Sequence, residues 1–276
     1  MTVAVARPVS TRRLVRAEVV QRRRMLAGLA AGTFVFLLAV AGTYQALGGA
    51  AGLSDTFGVK PPAFFSAFAG ARDVNLFAPR NYLGFGFVHP LFLVLTMTVA
   101  ISIGTASVAG DIETGRAEML YTRPVRRTAV LDARLRLWVV AQLIVIAAGV
   151  AGSLVGMRLS PDLRAVGTGA IARVVVQLLP LVAFVGALSF AASAWSRNRG
   201  QALGIAVGVV ALGYLVNFLA LLWHPLAFAQ HLSPFGYYTP SAAVDHVDWT
   251  DVVVLLAAAV ALLAVARAVL VRRDLV

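Results

Sequence analysis

The chain has 276 residues, 60% of them apolar and 13% charged, with a mean hydropathy of +0.84. Globular domains carry roughly 25% charge, so this composition excludes a soluble fold and points to an all-α polytopic membrane protein. The net charge of +12 does not signal nucleic acid, because the basic residues stand at the ends of apolar runs, and the absence of Cys removes disulfides, thiolate-held metals and thiol catalysis together.

The chain opens on a basic stretch from Arg7 to Arg24. The apolar run behind it, 25–53, is about twice the length of a signal-peptide core, so it reads as a retained anchor. Within 11–24, Leu14, Val15 and Val19 can share one helical face while the Arg residues fan out. Such a segment is either an interfacial helix in the headgroup layer or a basic tail that sets topology.

Six charge-poor runs of about 20 residues or more are long enough to span a bilayer. They are expected at 25–47, 82–108, 130–157, 172–195, 200–222 and 250–270, as a single transmembrane domain over 1–276. None alternates polar and apolar residues as a barrel strand would. With the N-terminus cytoplasmic, eighteen Arg residues fall inside. Lys60, Arg72, Arg80, Arg158, Arg164 and Arg173 fall outside. Both termini are therefore expected in the cytoplasm. The loop 48–81 carries Pro61, Pro62 and five Phe residues. The loop 223–249 has no Arg or Lys and contains LSPFGYYTPSAAVD, where a short re-entrant or interfacial piece is expected.

Small residues four apart let helix backbones approach closely in lipid. Gly28 and Gly32, Gly152 and Gly156, and Gly200, Gly204 and Gly208 have this spacing. They fit packing within one bundle or contact between subunits.

The densest polar segment is Ala109 to Arg136, AGDIETGRAEMLYTRPVRRTAVLDARLR, between the second and third spans. Asp111 can cap a helix, and Glu113 adds charge that favours its N-terminus. That helix is expected to run through Glu118, Met119 and Leu120 and to end near Arg123, because Pro124 restricts its predecessor. A second helix is expected after Thr128. The residues alone fit a short amphipathic helix across the inner end of the bundle, or a solvated loop with positive-inside Arg.

The loop resembles that of ABC-2 family permeases of ATP-binding cassette transporters. An acidic residue and Glu, a Gly, a short helix, then Pro and basic residues entering the third span are present here as DIETGRAEMLYTRPVRRTAVLDAR. The basic lead-in, LSPFGYYTP and the closing VRRDL are similar too. Arg134 stands where the family often has Lys. The resemblance implies six spans, a dimer with a second permease copy or paralogue, and two cytoplasmic ATPase subunits that bind ATP and Mg. It implies that loop 109–129 is a coupling helix seated in the ATPase. Asp111, Glu113, Gly115, Arg116, Glu118, Pro124, Arg126 and Arg127 would then face the partner. It also nominates Thr96, Tyr214 and Asn217 for the translocation path.

The chain has no GxxxxGK, and its single Lys precedes Pro61, so it is expected to hold no nucleotide and not to be an enzyme. It has no HExxH. His89, His224, His231 and His246 all fall on the outer half, so no metal or cofactor is expected. No Asp or Glu is expected inside a span, which disfavours an ion-coupled carrier. The leading expectation is an exporter of a hydrophobic or amphipathic substrate in the plasma membrane of a prokaryote. The alternative is a membrane subunit that docks or assembles a partner without transporting.

Overall fold

The computed structural model describes residues 11–58, 67–68, 70, 75–116 and 127–273. All regular structure among them is helical. Five helices are long and apolar enough to cross a membrane, and a bent pair makes a sixth.

Helix α1 spans Thr11–Ala46 without a break, so the basic lead-in and the first apolar run form one rod. No Pro interrupts it, and Gly is tolerated inside a helix packed on neighbours. After α2 (Gly49–Phe57), the second span consists of α3 (Pro79–Val88) and α4 (Pro90–Thr105), bent by 41° at His89. The bend has a local cause. Pro90 has no N–H, and the Leu91 N–H turns to His89 Nδ1 at 3.2 Å. The Phe87 carbonyl, which Leu91 would otherwise have served, accepts the Tyr238 hydroxyl at 3.1 Å instead. Burial pushes the Tyr238 phenol well above its ordinary range, so it stays a donor.

Three further helices complete the first two-thirds of the bundle. They are α5 (Ala109–Glu113), α6 (Arg127–Met157) and α7 (Pro161–Val166). The centre is α8 (Thr168–Trp195), whose apolar window is 67% buried, against 17% for α9 (Arg199–Leu222) and 22% for α11 (Trp249–Arg272). Two 3-10 turns, His224–Leu232 and Pro234–Tyr237, and the short α10 (Pro240–Ala243) form a lid on the bundle between α9 and α11. Ser233 pins that lid by donating to the Gly213 carbonyl at 2.7 Å. Arg173 holds the Val244 carbonyl, and Arg80 pairs with Asp245 at 2.5 Å.

Close packing falls on some of the expected glycines and not on others. A Cβ on Gly152 would stand 2.1 Å from the Phe34 carbonyl oxygen, and one on Gly156 would stand 2.4 Å from Ala41 Cβ. These two residues let α6 lie against α1. Gly104 and Gly186 do the same for α8, against Ser189 and Trp138. By contrast, among the described residues Gly28, Gly204 and Gly208 meet nothing within 4 Å, Gly32 reaches only Leu95, and Gly200 only Asn198. Gly32 thus sits where α1 meets α4, whereas Gly28, Gly200, Gly204 and Gly208 meet no neighbouring helix among the described residues. These four are exposed, so their faces turn away from the centre of the bundle.

Candidate functional site

The end of the bundle that carries the 109–116 segment is held together by side chains from four spans. Helix α4 ends at Thr105, and the backbone turns sharply into α5. Turning leaves N–H and carbonyl groups unpaired in a buried place, which is costly unless a partner is supplied. Ser193 of α8 supplies it. Its hydroxyl donates to the Thr105 carbonyl at 2.9 Å and accepts the N–H groups of Val108 and Ala109, each at 3.0 Å. The side chain is fully buried.

Asp111 is also buried, at 3% exposure. It is the third residue of α5, whose cap is Val108 with no side-chain hydrogen bond, so Asp111 does not cap this helix. Its carboxylate is 2.8 Å from Arg134 of α6, and the same guanidinium donates to the Ala106 carbonyl at 3.2 Å. Arg134 therefore clamps both sides of the elbow to the third span. A carboxylate turned inward onto Arg134 is not presented to a partner.

Glu113 is exposed, and one oxygen accepts the Arg199 N–H at 2.8 Å. Arg199 is the first residue of α9, where unpaired N–H groups and the helix dipole favour an anion. Asn198 caps the same end through Gln201 N–H at 2.8 Å. Glu113 thus joins the loop to the fifth span.

Helix α5 is shorter than expected. Thr114 and Gly115 form a turn, with Gly115 at φ +67° donating to the Ile112 carbonyl. A residue with a Cβ is strained at that φ, which gives Gly115 a backbone role. Arg116 is exposed. Glu118, Pro124 and Arg126 lie outside the described residues, as does the expected helix through Met119 and Leu120. The backbone of Arg127 begins α6, two residues before the expected start.

At the same end, Arg273 donates to the Ala194 and Ser196 carbonyls at 2.6 and 2.9 Å, closing α8, and Arg267 pairs with Asp132 at 3.2 Å. Asp132 and Asp251 both fall inside helices, but within their first two turns. The expectation that no acidic residue falls inside a span therefore fails at these two helix starts.

A family model described as ABC-2 family transporter protein matches residues 12–275. The chain belongs to the ABC-2 transporter family. It is a membrane permease subunit of an ABC transporter, and permeases of this family work with ATPase subunits and are not catalytic themselves. No curated protein and no solved structure matches it.

The path candidates of the permease lie on α4 and α9. The Thr96 hydroxyl bonds the Phe92 carbonyl of its own helix at 2.9 Å, while its carbonyl accepts Gln142 from α6. Tyr214 packs edge-on against Phe235 of the lid at 5.4 Å. Asn217 is buried, with its amide oxygen unpaired among the described residues. Arg134 and Ser193 are the residues that sequence reasoning left without a role. Arg134 had a signal, a basic residue fixed at the mouth of a span. Ser193 had none, as one hydroxyl in an Ala-rich helix.

Proposed function

We propose that this permease is the membrane half of an ATP-driven exporter, with both termini in the cytoplasm of a prokaryote and a second permease copy or paralogue beside it. Cytoplasmic ATPase subunits, holding ATP and Mg, dock on the loop 109–129. The observation that carries this reading is the fastening of the 109–116 segment to three spans: α6 through Asp111–Arg134, α8 through Ser193 and α9 through Glu113. A loop so tied passes a push from a docked subunit into the bundle, where a merely solvated loop would absorb it. The excess of Arg at this end supports its cytoplasmic placement. The outward faces of Gly204 and Gly208 support a subunit contact on α9. The buried amide oxygen of Asn217, unpaired among the described residues, supports a polar point on the path of a hydrophobic or amphipathic substrate.

Glu113 provides the test. Its effect on the α9 terminus is typically 0.3–1 kcal/mol. A charge pair lost at a docked interface costs about 2–5 kcal/mol. Glu113→Ala is expected to insert normally, while releasing the copurifying ATPase and abolishing permease-stimulated hydrolysis in proteoliposomes. Glu113→Gln is expected to be milder, because it keeps one acceptor. Wild-type binding and stimulation by Glu113→Ala would limit Glu113 to its contact with α9.

A further inference from the structure

Beside the elbow lies a cavity of about 560 Å³ whose cationic lining comes from Arg22, Arg24, Arg116 and Arg199. Its floor includes Met25 and the buried Ile103. We infer that this cavity binds the phosphate headgroup of an anionic phospholipid. Charge, depth and shape point the same way.

Two carboxylates line the cavity, and both are committed elsewhere. Asp111 is neutralised by Arg134, and Glu113 faces the Arg199 N–H. Among the described residues the guanidiniums of Arg24, Arg116 and Arg199 hold no acid. Arg24, Arg116 and Arg199 therefore leave the cavity cationic.

The depth of the cavity selects a lipid over a protein. Arg22 and Arg24 stand where the apolar run of α1 begins, Arg199 is the first residue of α9, and Arg116 directly follows the α5 turn. Arg22, Arg24 and Arg199 thus stand at the ends of membrane-length helices, where headgroups are met. Met25 and Ile103 belong to the apolar runs behind such ends. A polarity gradient from guanidinium to thioether and aliphatic side chain matches a phosphate joined to glycerol and the start of an acyl chain. The acidic surface of a soluble partner would meet the Arg rim but would leave that floor unused. Basic side chains at a membrane surface each contribute to holding anionic lipid. The inference does not depend on which side of the membrane this end faces, or on ATPase docking.

The full chain in neutral detergent is titrated with dioleoylphosphatidylglycerol, dioleoylphosphatidylcholine and inorganic phosphate, with native mass spectrometry and thermal unfolding as readouts. Phosphatidylglycerol is expected to bind and to raise the unfolding temperature, while the other two do neither. Arg24→Gln/Arg116→Gln/Arg199→Gln is expected to weaken phosphatidylglycerol binding by about tenfold or more. Arg158→Gln/Arg164→Gln, at a cavity on the opposite end, is expected to leave binding unchanged. If the triple variant does not fold, Arg24→Gln alone is expected to weaken binding by about fivefold. Unchanged binding in the folded Arg24 and triple variants overturns the inference, as does equal loss in the control pair. Equal stabilisation by phosphatidylcholine reduces the effect to acyl-chain contact, and equal stabilisation by inorganic phosphate makes this a soluble-anion site. Either result also overturns it.

Discussion

Removing the guanidinium of Arg134 would leave the Asp111 carboxylate in a place where only 4% of its side chain is exposed. Breaking a buried pair from one side costs about 3–5 kcal/mol, whereas replacing both members by apolar groups is often neutral. Arg134→Met is therefore expected to lower the thermal unfolding temperature of the detergent-solubilised chain clearly. Asp111→Leu/Arg134→Met is expected to recover most of the loss. A single variant as stable as wild type would show that the pair does not hold the elbow. The sequence makes both residues visible as charges near a membrane end, but not as partners. They are 23 positions apart with a Pro-containing loop between them, so no helical periodicity links them. For the same reason Asp111 reads as a helix cap from sequence, since a carboxylate before a short helix usually is one. What decides otherwise is a cation arriving from another span. Glu113 was legible as a charge at a helix start, but the helix it serves in the structure is α9 rather than its own.

The apolar runs are legible because the bilayer imposes a length on them, and the helices follow those runs closely. Helix approach is a harder inference. Spacing of four marks a smooth face but not what meets it, so Gly152 and Gly156 face α1, while Gly204 and Gly208 meet nothing among the described residues. Isolated Gly104 and Gly186, which carry no such signal, sit against α8 and α6 side chains. The two kinds of position should separate experimentally. Gly152→Ala pushes a methyl against a backbone carbonyl and is expected to cost about 1–3 kcal/mol. Gly204→Ala adds a methyl in open space on a helix and is expected to be neutral or slightly stabilising for the single chain. Thermal unfolding of the two variants side by side decides it, and equal destabilisation would contradict the packing described. The bend in the second span is not in the sequence reading, which takes 82–108 as one run. Pro90 opens it, and the hydroxyl that satisfies the opened carbonyl comes from Tyr238, 151 residues later.

At the scale of the whole molecule, the two ends of the bundle are built differently. One is closed by the lid that Ser233, Arg173 and Tyr238 fasten to the spans. The other gathers the elbow, the ends of α8 and α11 and most of the Arg residues, with the 109–116 segment fixed to the spans behind it. Under the proposed function, an end held in this way passes the push of a docked ATPase subunit into the bundle, and permeases of the ABC-2 family work with such subunits. The most direct measurement is photo-crosslinking in native membranes, with benzoylphenylalanine placed singly at exposed Thr114 and at exposed His246 on the lid side. The account predicts that Thr114 captures a protein carrying a nucleotide-binding GxxxxGK sequence, identified by mass spectrometry, and that His246 does not. Capture of that ATPase from His246, or its absence at Thr114 while it copurifies with the permease, would contradict the assignment of this loop as the coupling element.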